Sequence, residues 1–259
     1  MKFKFTLIAF SLCCFICSCS KRKLDEKGFQ VGPESDTSIS TNGFNKDSMR
    51  FETQPSSVLL TGISNVRLTT VYKVNLNKED KTTFIGSNTF HYVYTESEDR
   101  TAIQWNHHII PGFEAVYGYN MVNVSHFDIT LNKQKSFFEK PVLIKTLYFP
   151  SFLQDTLNKS LINRNYFMVS TYNEDTNKDG FINPRDLRRI FLFNLSGERQ
   201  KALVPENYSV LKSEYDSGND FMYLFAKLDK NNNGKHEQSE PTHVFWVDLK
   251  DPFKTGRLY

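Results

Sequence analysis

The sequence predicts an all-β protein built from antiparallel strand repeats. Three observations carry this. Aromatic residues make up 14% of the chain, with 23 Phe and 12 Tyr, a bias toward side chains that fit a pleated, half-buried surface. From about Val58 onward, short apolar runs with a period of two are bounded by Asn, Asp, Gly and Pro, which is how strands and their turns read. One strand–loop–strand segment occurs twice, 54 residues apart.

The chain opens as an export signal. Lys2 and Lys4 precede an apolar run from Phe5 to Ile16, and Lys21-Arg22-Lys23 ends it. A basic start followed by roughly 7–15 apolar residues is a secretory signal, and it is too short to span a membrane, which takes about 20. Ile16-Cys17-Ser18-Cys19 resembles the bacterial lipobox, with Cys19 in the place of the lipid-bearing cysteine. That resemblance implies cleavage after Ser18, a diacylglyceryl group on Cys19 and a lipid bilayer as partner. The alternative is a plain cleaved signal with incidental cysteines. The four cysteines are Cys13, Cys14, Cys17 and Cys19, so on the lipid reading no thiol remains to form a disulfide. Residues 1–18 are then the signal, 19–56 a lipidated cysteine with a polar tether, and 57–259 the folded domain. A short segment that packs on the domain is the other reading of the tether. The net charge is +3 with both signal lysines counted; the near-neutral remainder argues against nucleic acid as a partner.

Strand candidates follow in order: Val58–Gly62, Thr69–Leu76, Phe90–Tyr94, Val122–Ile129 and Ile190–Phe193. Asp155–Asn163 is the best short helix candidate. Asn165–Asp175 aligns with Asn219–Asp229. Each is followed by an acidic loop and a second strand, Arg189–Leu195 and His243–Leu249. The pairs Val58–Gly62 with Val71–Leu76, and Phe90–Tyr94 with Val124–Ile129, read as degenerate copies without the loop. Four such units predict a propeller-like array of antiparallel sheets, since one hairpin cannot bury its apolar face alone. The alternative is a β-sandwich with one duplicated calcium-loop hairpin.

The two acidic loops carry the chemistry. The first, residues 175–186, places Asp175, Asn177 and Asp179 at positions 1, 3 and 5. Gly180 sits at the sharp turn, the carbonyl of Phe181 at position 7, apolar Ile182 at 8, Asn183 at 9 and Asp186 at 12. This is the spacing of an EF-hand calcium loop. Calcium takes about 6–8 oxygens, and alternate residues of a tight turn can supply them. The second, residues 229–240, offers Asp229, Asn231, Asn233, the Lys235 carbonyl and Glu240, with His236 at position 8 and Glu237 at 9. The first is expected to be the better site, and both to be of modest affinity, with Lys178 and Arg185 close to the first. The alternative is a solvated hairpin without an ion. Through DTNKDGFIN and Asp186-Leu187 the first loop is similar to the dockerin and EF-hand loop families. The similarity implies a Ca²⁺ site and no fold, because here the flanks read as strands. Calcium loops between the strands of integrin α-chain propellers are the nearer analogy.

No catalytic pattern accompanies the loops: GxSxG, HExxH, a phosphate-binding Gly loop and CxxC are all missing from the sequence. His107-His108 would point to opposite faces of a strand. Trp105, Phe113, Tyr117 and Tyr119 could contact sugar or peptide and otherwise pack a core. Glu96, Glu98, Asp99 and Glu114 could pair as glycosidase carboxylates but carry no assigned role.

With its lipobox, polar tether and paired loops DTNKDGFIN and DKNNNGKHEQSEP, the chain resembles uncharacterised lipoproteins of Bacteroidota-type bacteria. The expectation is a calcium-binding, non-catalytic binding or structural module of the cell envelope. An envelope protein or a glycan is its expected partner; the alternative is an envelope hydrolase acting on glycan or peptide. Ser20 and the basic residues after Cys19 favour the outer membrane, facing the periplasm.

Overall fold

A computed structural model describes residues 27–31, 51–90 and 110–259. The signal, Cys19, Trp105, His107, His108, Glu96, Glu98 and Asp99 lie outside the described residues. Those described form nineteen strands in antiparallel sheets and no helix, as the sequence predicts.

The strands fall into three four-stranded meanders. The first is β2 (Thr53–Leu60), β3 (Val66–Leu76), β7 (Met121–Asp128) and β8 (Lys133–Ser136). Between β3 and β7 the chain inserts β4 (Thr83–Ile85), β5 (Thr89–Phe90) and β6 (Phe113–Tyr117). The second meander is β9 (Leu143–Pro150), β12 (Phe167–Tyr172), β14 (Arg189–Phe193) and β15 (Arg199–Ala202). A hairpin of β10 (Asp155–Leu157) and β11 (Ser160–Ile162) separates β9 from β12, and β13 (Phe181–Ile182) lies in the β12–β14 loop. The third is β16 (Tyr208–Asp216), β17 (Phe221–Leu228), β18 (Thr242–Asp248) and β19 (Thr255–Arg257). Met121 pairs with Ile144, and β6 of the insertion pairs with β9 from Phe113–Pro150 to Val116–Leu147, so the first two meanders belong to one sheet. Strand β1 (Phe29–Gln30) belongs to none of them and pairs with β13.

The middle meander is buried on both faces. Phe167, Val169, Phe191 and Phe193, with Phe149 of β9, share one core with Leu68 and Val124 of the first meander. The alternate residues Met168, Ile190 and Leu192 share a second core with Met222, Leu224, Ala226, Phe245 and Val247 of the third meander. Strands covered on both sides need apolar residues at every position, hence the unbroken runs Phe167-Met-Val and Ile190-Phe-Leu-Phe. β3 and β17 are covered on one side and alternate between buried and half-buried residues. Phe137 and Phe138 close the first core against Phe193, the Phe137 ring stacking at 4.6 Å and that of Phe138 edge-on at 5.4 Å.

Several sequence expectations need correction. The segment Asp155–Asn163 is a hairpin, because Asn158 and Lys159 both take positive φ, 51° and 66°; two such residues make the tight turn that matches strand twist. Phe90 pairs with Val116 rather than with Val124–Ile129, so the degenerate fourth unit dissolves into the insertion of the first meander. Two pieces of the expected tether are strands. Phe29 is buried beside Val122, Leu143 and Ile182. Thr53–Leu60 is an outer strand whose exposed residues hide any alternation.

A buried ion pair ties the second and third meanders together. Arg164 grips Asp220 with two hydrogen bonds, at 2.9 and 2.7 Å, and donates further ones to the carbonyls of Leu249, at 2.8 Å, and Pro111, at 3.0 Å. Both side chains are essentially inaccessible, 1% and 0% exposed, and the Tyr215 hydroxyl also bonds Asp220. Removing one partner strands the other charge, which costs about 3–5 kcal/mol. Arg164→Ala is therefore expected to lower the urea unfolding free energy by about that amount. Adding Asp220→Asn to Arg164→Met, which leaves no buried charge, should recover part of the loss; equal losses for the two proteins would contradict this account.

Candidate metal centre

The two acidic loops occupy the same place in successive meanders, between β12 and β14 and between β17 and β18. Their local structure follows from short side chains that bond backbone donors two to five residues ahead. In the first loop, Asp175 accepts from the N–H of Asp179 at 3.1 Å and of Gly180 at 2.8 Å, Asn177 from Asp179 at 2.9 Å, and Asp179 from Phe181 at 3.0 Å. In the second, Asp229 accepts from Asn233 at 3.0 Å and Gly234 at 2.8 Å, Asn231 from Asn233 at 3.1 Å, and Asn233 from Lys235 at 2.9 Å. Position by position the networks are the same. So are the backbone turns: Lys178 and Gly180 take φ of 58° and 84°, Asn232 and Gly234 56° and 72°.

The closing acids match too. Asp186 accepts from the N–H of Thr176 at 2.9 Å and of Asn183 at 2.8 Å. Glu240 accepts from Lys230 at 3.0 Å and Glu237 at 2.8 Å. Each acid thus ties positions 2 and 9 of its loop together, and the longer Glu240 does so as well as Asp186. A carboxylate has about four lone-pair sites; the two bonds to Glu240 leave some of them, whereas Asp186 also lies 3.3 Å from the Asn177 N–H and 3.3 Å from the Thr176 hydroxyl. Asp186 is fully buried. Burial is the largest influence on its carboxyl and pushes it above the ordinary range, with Asp175 adding to the rise and the backbone N–H groups opposing it. Its ionised form is thus disfavoured in the fold until a positive charge compensates it.

The expected carbonyl ligand at position 7 of the first loop is available. β1 and β13 pair Phe29 with Ile182 and Gln30 with Phe181, and Val31 N–H bonds Gly180 O at 2.9 Å. In an antiparallel ladder bonded and non-bonded pairs alternate. Gly180 and Ile182 therefore carry the ladder, and the Phe181 carbonyl between them is left out of it. Ile182 is buried in the small core with Phe29, as the apolar pin should be. Its counterpart His236 is exposed and pins no core. Lys235 and Lys178 are exposed, and Arg185 lies 3.8 Å from Asp179, a partly competing cation as expected.

Among the described residues no three His, Cys, Asp or Glu side chains are gathered in the manner of a metal cluster. The donor set in each loop includes Asn and backbone carbonyl oxygen, and the closing acid faces backbone N–H groups. Oxygen donors of this mixed kind suit a hard cation such as Ca²⁺ and not a thiolate- or imidazole-seeking metal.

Sequence reasoning missed that the loops touch. The Thr176 hydroxyl donates to Gly234 O at 2.7 Å and accepts from Leu187 N–H at 2.8 Å. A Cβ on Gly234 would lie 1.9 Å from Thr176 O, whereas one on Gly180 would meet nothing within 4 Å. The loop template demands glycine at both positions, so it hides the packing role of Gly234. Of the other residues singled out, Phe113 is core, edge-on to Tyr166 at 5.2 Å. Tyr119 packs on Phe84 at 5.7 Å, Tyr117 is half-buried in β6, and Glu114 accepts from the Ser151 hydroxyl at 3.1 Å.

No protein-family model matches the chain, and no curated protein is similar to it.

The two glycines give a direct test of loop geometry. Gly180→Ala meets only the left-handed backbone penalty of about 1–2 kcal/mol. Gly234→Ala meets that penalty and a clash with Thr176, so its loss of stability in the same calcium-free unfolding measurement should be clearly larger; equal losses would exclude the loop–loop contact.

Proposed function

We propose that this protein is a calcium-binding, non-catalytic module of the cell envelope whose two loops stabilise adjoining β meanders. The observation that carries the reading is the set of hydrogen bonds the two loops share, joining positions 1, 3, 5 and 12 to the same backbone donors, in loops whose sequences keep the EF-hand oxygen spacing. Asp175, Asn177, Asp179, the Phe181 carbonyl and Asp186 would hold the first ion. Asp229, Asn231, Asn233, the Lys235 carbonyl and Glu240 would hold the second. Bound calcium would neutralise carboxylates that the fold brings together and so favour the native state by mass action.

The remaining parts of the reading come from the sequence: lipid on Cys19, anchorage in the outer membrane facing the periplasm, and an envelope protein or glycan as partner. For the finer architecture, the propeller-like array stays the leading reading and the β-sandwich with a duplicated calcium-loop hairpin the alternative. Equivalent residues of the repeat, Phe191 with Phe245 and Phe193 with Val247, enter different cores, which supports head-to-tail stacking of repeats.

Thermal melts with calcium and with chelator test the reading. At a free calcium concentration about a hundred times Kd, one site adds about 2.7 kcal/mol, so the melting temperature should rise by several degrees. Asp175→Ala should lose part of that rise and the double variant Asp175→Ala, Asp229→Ala all of it. Identical melts with and without calcium would refute the proposal.

A further inference from the structure

We propose that the first loop, when it holds calcium, docks the strand Phe29–Gln30 and so sets the point at which the N-terminal chain leaves the folded domain. The inference rests on the calcium reading of that loop and adds a conformational role to it.

The argument starts from what β1 pairs with. Among the described residues its only strand partner is β13, which comprises positions 7 and 8 of the first loop, and Val31 N–H extends the contact to Gly180 at position 6. A two-residue ladder is far below the size that is stable alone. It persists only while the backbone at Gly180–Ile182 is fixed in an extended shape. That same backbone must carry the Phe181 carbonyl toward a cation, and the register leaves this carbonyl out of the ladder. Cation and strand therefore use opposite sides of one short segment, and each holds the segment in the form the other needs.

The fit around β1 is specific. Gly28 has φ of 115°, and a Cβ there would lie 2.2 Å from Ile182 O. Gly28 N–H donates to the buried Asn120 side chain at 2.8 Å, and Asn120 in turn donates to Asn75 at 2.6 Å. Phe29 is 7% exposed, packed with Val122, Leu143 and Ile182. With the end of β3 and the loop, β1 walls a cleft of about 710 Å³ that includes Lys73, Asn183 and Arg185. The second loop has no counterpart: among the described residues no strand pairs with Lys235-His236. Docking thus distinguishes two loops that are otherwise alike.

Linkage makes the effect reciprocal: whatever factor calcium contributes to docking, docking contributes to calcium affinity. Such couplings typically span about 5–150-fold.

The experiment is hydrogen exchange on the full chain with calcium chloride or with chelator, alongside a calcium titration by calorimetry. With calcium, the Val31 amide should exchange at least about tenfold more slowly. Asp175→Ala should abolish this protection and Asp229→Ala should leave most of it. In the reverse direction, Val31→Pro deletes the one donor to Gly180. It should weaken the first site by about tenfold while amides of β12 and β17 stay protected. Phe29→Asp is the second such variant. Calcium binding with unchanged exchange at Val31 would overturn the docking inference and leave the calcium reading standing. Absence of calcium binding in the titration would overturn both.

Discussion

The rest of the structure depends on the middle meander having both of its faces covered. A sheet of this size with two apolar faces cannot exist in water by itself, so residues 143–202 require a partner layer on each side. The first meander and its insertion supply one layer, and residues 208–257 supply the other. This requirement explains why β12 and β14 contain the unbroken apolar runs Phe167–Val169 and Ile190–Phe193 while β3 and β17 alternate. It also explains why the strongest polar contact, Arg164 with Asp220, bridges the second and third meanders. A buried guanidinium satisfied by one carboxylate and two carbonyls admits few other arrangements, so it fixes how the third layer sits on the second.

The acidic loops inherit their positions from this layering. Each follows the second strand of a meander, and stacking the meanders brings the loops into contact through Thr176 and Gly234. Neither loop is merely an exposed hairpin: Asp186, Asp229 and Glu240 are all buried, at 0%, 5% and 8% exposure. Burial of that kind is tolerable because backbone N–H groups surround the carboxylates. It also makes the loops sensitive to any added positive charge.

Much of this was legible in the sequence. The aromatic and β-branched runs gave the strands of the second and third meanders, and the 54-residue repeat gave their equivalence. Asx-type spacing at Asp175, Asn177 and Asp179 foretold the turn that the hydrogen bonds display. What was not legible depended on distant neighbours. Asn158 and Lys159 gave no strong turn signal, so Asp155–Asn163 read as helical. Phe29 sits in polar sequence, and its burial is decided by Val122, Leu143 and Ile182, which are remote in the chain. Arg164 and Asp220 lie in loops with no pattern to pair them. The meeting of Met168 and Met222 in one core could not be read either, because Met168 pairs with Leu192 and Met222 with Val247, a one-residue difference of register that the 54-residue spacing does not show.

The Arg164 clamp has a consequence for how the chain must be made. Two of its acceptors, Asp220 and the Leu249 carbonyl, leave the ribosome after the middle meander. Until Leu249 has emerged, Arg164 is a charge beside an uncovered apolar sheet, and Met168, Ile190 and Leu192 face solvent. Synthesis from the N-terminus therefore yields the layer that most needs protection before the layer that protects it. The protein passes through a stage in which its middle meander is exposed to proteases and to self-association. A ribosome stalled before residue 249 would leave it there.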